Sequence, residues 1–485
     1  MSEEGFGRLT GCERYKIVKT RGTDRRKPPG SRQATRFLIL GTVSLVSFSP
    51  IVFAVANMRL LGDDYILAAY ASAIGPVSSV VTWSTFYASP LFSTYMFLHG
   101  WWFTVAPEWL QYAPSFLITA GLASISGWTL MRVVSGVRWP WFVSIAVAVS
   151  FLPMWVLAMG NLGGEYDAVT LLAQINWVSS TYRGLLAYTY FFIVLALVFR
   201  LRILRRFNRS LPILLGVVFS FVALNPLPDL LAYGITSLAL ATLIALDRSH
   251  FADGTSARAF IYLAIGQAIG IVLLFLSPGS RGRRQWLDFP PPGDPVGAYV
   301  QQLMVFMREA ANPSLAVVLI GVASLTLIVA SLPNNQMDQY RPQLRVLVLG
   351  FALLAVLLVL TGSTNVLLAP GAVWHRWGLQ VVVYLLVVLC GVWIGSEIHR
   401  RARVPSIVAV SIASVTVLIG LLPSLTVNSL LSDRATNWNE RSSALLYIWD
   451  REMFPDCWAV LSQSGGTTQP REFVPVNPCR NLIPQ

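Results

Sequence analysis

Between residues 37 and 424 the chain is a succession of apolar runs, several close to or beyond the roughly 20 residues that a helix needs to cross a bilayer. That pattern sets the fold class before any motif is considered. Composition agrees with it. Of 485 residues 55% are hydrophobic and 12% charged, with a mean hydropathy of +0.60, whereas a soluble domain carries about 25% charged residues. The class is an all-α polytopic membrane protein, not a large soluble core.

The net charge of +13 raises the question of a nucleic-acid partner, and its distribution answers it. Ten Lys/Arg fall in the first 36 residues, and further clusters stand at 200–209 and at Arg400, Arg401 and Arg403. They punctuate the apolar runs as cytoplasmic loops do under the positive-inside rule. The charge therefore reads as topology, and no nucleic acid is expected. Residues 1–36 form a basic cytoplasmic tail. Ala54-Val55-Ala56 resembles a signal-peptidase site, but the run before it is too long for a signal sequence and the tail is overlong.

Spans are expected near 37–58, 113–131, 139–160, 178–199, 211–224, 229–246, 259–276, 313–332, 345–361, 377–396 and 404–424, about eleven in all. Residues 59–112 are read as a large first external loop with interfacial helices. Counting its apolar part, 88–106, as a span would place the basic loop 200–210 outside. Its Trp and Tyr content also suits the membrane–water boundary. The domain is then 37–424, followed by an extracytoplasmic C-terminal segment, 425–485. Cys457 and Cys479 fall together there as a disulfide or as two separate thiols, and the four cysteines of the chain form no metal or redox motif.

The pair 211–224 and 229–246 is short. Fourteen residues rise only about 21 Å, less than the ~30 Å hydrocarbon core. The turn Asn225 to Asp229 is therefore expected below the outer surface, where irregular backbone needs protein or a water-filled cavity around it. Asp229 then borders a cavity or caps the following helix.

The chemistry-bearing residues cluster on the external side. Asp63-Asp64-Tyr65 follows the first span. Paired carboxylates there supply a general base or hold a divalent cation, or simply open a solvated loop. Ser277 to Arg284 follows the span 259–276, and its Arg281, Arg283 and Arg284 break the positive-inside rule locally. The guanidinium fork matches phosphate oxygens, supplied by a bound ligand or by anionic headgroups. Pro370 to Arg376 opens the span 377–396 with His375 and Arg376, and Trp177 with Tyr182 marks another external mouth, after Glu165 and Asp167. Singly, these last residues read as interfacial anchors. No Walker loop, dinucleotide fingerprint, zinc spacing or serine-hydrolase elbow occurs.

Together these motifs resemble the GT-C superfamily of membrane glycosyltransferases, and within it one bacterial branch. The likeness rests on Asp63-Asp64-Tyr65, Trp177 to Tyr182, Pro278-Gly279-Ser280-Arg281-Gly282-Arg283, Pro370 to Arg376 and the tail Trp438-Asn439-Glu440-Arg441. Ser280 stands where that branch usually has Asn, and Asn439 where it has Asp. The resemblance implies transfer of a sugar from a polyprenyl-phosphate donor to a glycan, lipid or protein acceptor on the outer face of the plasma membrane. It implies Asp63 or Asp64 as base, with Arg281, Arg283, Arg284 and Arg376 on the donor phosphate. Tyr65, Trp177, Tyr182, Asp229 and His375 would line the cavity, and a metal is left open. A transporter or flippase of a lipid-linked or anionic substrate would use the same arginines, and a non-catalytic assembly partner is a third reading.

Overall fold

The computed structural model describes residue 71, residues 75–84, 89–114, short stretches between 117 and 130, and 178–199, 209–222, 226–247, 255–279, 293–311, 337–364 and 376–401. The chain divides into Met1–Ile39 and Leu40–Gln485, and every described element belongs to the second unit. Among the described residues the fold is helical. In chain order the helices are α1 (Pro76–Trp83), α2 (Pro90–Val105), α3 (Val178–Val198), α4 (Ser210–Val222), α5 (Pro226–Leu246), α6 (Thr255–Leu276), α7 (Pro295–Ala311), α8 (Met337–Ser363) and α9 (Arg376–Arg401), with a 3-10 turn at Glu108–Leu110 after α2.

Three of these are long and apolar enough to cross a membrane: Asp229–Leu246, Ala257–Leu276 and Arg341–Ser363. Each carries two stripes. On α5 the buried positions Leu230, Tyr233, Ser237, Leu240 and Ile244 follow a three–four spacing, and on α6 so do Phe260, Leu263, Gln267, Gly270 and Leu274. The outward stripes are apolar as well: Leu231, Ile235 and Leu238 on α5, and Ile261, Ile265, Ile269 and Val272 on α6. A helix on a soluble protein would place charges on that outer face. Here the polar groups are inside and the aliphatic groups outside, which is what hydrocarbon solvent selects.

Shorter apolar helices lie at Leu185–Val198, Ser210–Val222 and Val381–Ile394. The first of these, within α3, is the centre of the bundle. Its residues from Leu185 onward are buried nearly all round, and it packs on α4, α6 and α9. Its Tyr190 and Phe191 also meet Phe351 of α8.

The seam between α4 and α6 sets the register. A Cβ added at Gly216 would come 2.7 Å from the backbone nitrogen of Gln267, and one at Gly266 would strike the Ile213 backbone. Gly270 faces the Ser220 side chain in the same way. Gly266-x-x-x-Gly270 on α6 thus meets Gly216-x-x-x-Ser220 on α4, the small-residue seam that lets membrane helices approach closely. Because Gly216 meets Gly266 and Ser220 meets Gly270, the two helices run parallel. Three residues separate α4 from α5, and α6 packs on both. On the other side, Arg341 near the start of α8 pairs with Glu397 near the end of α9 at 3.1 Å, so α8 and α9 run antiparallel.

The expected spans at 178–199, 211–224, 229–246, 259–276, 345–361 and 377–396 each fall on a described helix. Those at 37–58, 139–160, 313–332 and 404–424, the tails 1–36 and 425–485 and both C-terminal cysteines lie outside the described residues. Three boundaries differ. Helix α5 begins at Pro226, so Asp229 sits inside its first turn; proline is tolerated there because the first N–H groups have no intrahelical partner. Helix α8 begins at Met337 rather than near 345, its added turns held by Arg341. Helix α7 occupies what the sequence reading left as external loop, capped by the Asp294 carboxylate, which accepts from the Gly297 amide at 2.9 Å.

Candidate functional site

The parallel run of α4 and α6 sorts the bundle's ends chemically. At one end stand the exposed Arg209, just before α4, and Arg258, in the first turn of α6. At the other end α4 stops, α5 starts with the partly exposed Asp229, and α6 hands the chain to Ser277 and the residues that follow. The Asp229 carboxylate lies in the first helical turn, where the helix dipole favours a negative charge. Ser277 closes the end of α6 by donating to the Leu274 carbonyl at 2.6 Å.

This end is also where α2 docks. The Ser89 hydroxyl, just before α2, donates to the carbonyl of Phe221. Phe221 is in the last turn of α4, whose carbonyls have no intrahelical donor. The segment downstream of Asp63-Asp64-Tyr65 is thereby fastened to the Asp229 end. Helix α2 is 16 residues long, a rise of about 24 Å, and the chain folds back at its C-terminal end. Trp102 donates its indole N–H to the Leu110 carbonyl at 2.9 Å, and the buried His99 holds the Gln111 carbonyl through Nε2 at 2.9 Å. A carbonyl only accepts, so Nε2 carries the proton. Phe103 stacks on the His99 ring at 4.4 Å, with Tyr95 and Tyr112 edge-on at 5.8 and 6.1 Å. Burial in this aromatic box pushes the imidazole down from 6.5 to about 4, against the opposing effect of the Gln111 carbonyl, so His99 is neutral at physiological pH.

A polar network lies inside the bundle, where α3, α5 and α6 meet. The Tyr190 hydroxyl donates to the Tyr233 carbonyl at 3.2 Å and lies 3.0 Å from Ser237 Oγ. Ser237 donates to Gln267 Oε1 at 3.0 Å. Gln267 is fully buried, and its Nε2 has no hydrogen-bond partner. Turning the amide over only exchanges which end lacks a partner. Ser220 completes the seam by donating to the Gly216 and Gln267 carbonyls at 3.0 and 3.1 Å. Phe219 and Tyr233 pack around Tyr190 with ring centroids 5.5 and 4.8 Å away.

Of the expected site residues, Asp229 is described with its side chain. Tyr182 lies near the start of α3, and Arg376 is the first residue of α9. Asp63, Asp64, Tyr65, Trp177, Arg281, Arg283, Arg284 and His375 lie outside the described residues. No group of His, Cys, Asp and Glu suited to a metal occurs among the described residues. Sequence reasoning passed over His99 and Gln267, and both had a signal. His99 sits in an apolar run with aromatics four residues to either side, and Gln267 lies between the glycines of a G-x-x-x-G.

No family model, curated protein or solved structure matches the chain.

Proposed function

We propose that the chain is a GT-C-type glycosyltransferase that moves a sugar from a polyprenyl-phosphate donor to a glycan, lipid or protein acceptor outside the plasma membrane. The observation that supports this reading is the shared end of the bundle. Helix α6 leads there into Ser280–Arg284, Asp229 opens α5 there, and Ser89 ties the segment following Asp63-Asp64 to it. The opposite end bears Arg209 and Arg258, as a cytoplasmic end should. A multi-pass chain with its N-terminus cytoplasmic and its C-terminus outside fits that polarity.

In this mechanism Asp63 or Asp64 takes the proton of the acceptor hydroxyl. The acceptor oxygen attacks the anomeric carbon as the bond to the phosphate oxygen breaks, and the electron pair leaves with polyprenyl phosphate. The configuration inverts. Phosphate is a good leaving group and needs charge stabilisation rather than a proton, so one carboxylate suffices. Arg281, Arg283, Arg284 and Arg376 supply that stabilisation. Tyr65, Trp177, Tyr182, Asp229 and His375 line the sugar's side of the cavity. A divalent cation held by the aspartates is compatible with this scheme.

Purified wild type, Asp63→Asn, Asp64→Asn and Arg281→Ala are incubated with polyprenyl-phosphate sugars and membrane-extracted acceptor. Release of polyprenyl phosphate by wild type, lost in one Asp variant that still binds donor, is the expected result. Donor binding without turnover under any acceptor would overturn it in favour of a flippase or transporter.

A further inference from the structure

We propose that α7 lies along the membrane–water interface, with one face immersed among the acyl chains. Val296, Val300, Met304 and Met307 are 72%, 49%, 62% and 52% exposed. Their spacing gathers them on one side of the helix, since each residue turns it by roughly 100°. A neighbouring side is used otherwise: Phe306 is buried, and α7 packs on α8 and α9. Helix α8 is long and apolar enough to span, and its own outward residues Leu349, Val356 and Leu360 are aliphatic. Helix α7 thus packs on a helix whose own outer face already needs hydrocarbon.

The helix does not suit crossing. It has 17 residues and ends in Arg308-Glu309-Ala310-Ala311, a rise of about 25 Å against a core of ~30 Å. Its start is wet, since Gly293 and Asp294 are exposed and Asp294 caps it. An amphipathic helix with a polar start, an apolar face and no capacity to span lies in the interface plane. The sequence just upstream carries Arg281, Arg283 and Arg284, charges suited to the headgroup layer that such a helix would border. The assignment does not depend on the transferase reading.

The test uses the full chain with its native cysteines replaced and single cysteines at Val300, Met304, Met307 and, as control, Gln301, which is exposed on another side. Each is labelled with bimane in phosphatidylcholine–phosphatidylglycerol vesicles, after checking that its thermal transition matches the parent. The three stripe positions should be quenched several-fold more by doxyl-labelled lipid than Gln301, and aqueous iodide should give the reverse order. Iodide quenching of the stripe equal to that of Gln301 would overturn the proposal. So would protection of the stripe from both quenchers, which would mean that protein covers it. Neither readout requires catalytic activity, so failure here leaves the glycosyltransferase test untouched.

Discussion

The α4–α6 seam and the aromatic arm formed by α2 and its return turn solve one problem in opposite ways. Both bury polar groups in apolar surroundings. In the seam the polar atoms face other helices: glycine brings the α4 and α6 backbones close enough for Ser220 to reach the Gln267 carbonyl, and Ser237 of α5 and Tyr190 of α3 extend the network from Gln267. In the arm the polar atoms are ring N–H groups of a single helix, and they satisfy carbonyls of the chain that immediately follows. The seam is long-range and depends on shape; the arm is local and depends on a protonation state. The seam should therefore respond to volume and ignore pH, and the arm should do the reverse.

The largest effect is expected from Gly266→Leu. The added side chain meets the Ile213 backbone, which cannot rotate away as a side chain would. Overpacking costs about 1–3 kcal/mol in tolerant cores, and here the helices must separate, so loss of the folded monodisperse species in thermal size-exclusion assays is expected. Gly121, whose Cβ would meet nothing, provides a control: Gly121→Ala should leave the transition in place.

Protonation of the arm comes next. The folded His99 value of about 4 lies below the unfolded value of 6.5. The unfolded form therefore binds more protons between those pH values, and stability falls as pH drops through that window. Above it the contribution is complete. The full difference is on the order of 3 kcal/mol. Hydrogen exchange of the amides at 108–112 should quicken from pH 6.5 to 4.5, beyond the intrinsic chemistry, while amides of α6 stay protected. His99→Phe should remove that pH dependence.

Within the network, Tyr190→Phe and Ser237→Ala should each cost about 1 kcal/mol, with a coupling of the same order or less in a double-mutant cycle. Gln267→Met should be neutral or mildly stabilising, because it removes an amide end that has no partner. A comparably small effect is expected at Arg341–Glu397, whose side chains are 21% and 31% exposed. Glu397→Gln should cost no more than about 1 kcal/mol, and less in high salt.

The contrast between seam and arm also explains what the sequence could reveal. Hydropathy located α3, α4, α5, α6 and α9 within a few residues, because a bilayer-facing helix must be apolar over its length. It missed the first turns of α8, where Arg341 depresses the average yet finds Glu397 about six turns into α9. It also missed α7, whose glutamines and terminal Arg308-Glu309 dilute the signal, although Asp294-Pro295 is a readable helix start. For the candidate site, the motifs were legible but their convergence was not. The shared end of α5 and α6 follows from Gly216 meeting Gly266, a contact between residues fifty positions apart that no local pattern specifies.

We propose that the bundle has two chemically different ends and that the Asp229 end faces outward. Gly293 is exposed and follows the end of α6 by a stretch too short and too polar to cross a bilayer; Arg209 is exposed at the opposite end. Single cysteines at these two positions, probed in intact cells with a membrane-impermeant maleimide, test the claim most directly. Labelling of Gly293→Cys without permeabilisation, and of Arg209→Cys only after it, is the predicted result. The reverse pattern, or labelling of both from outside, would contradict the account.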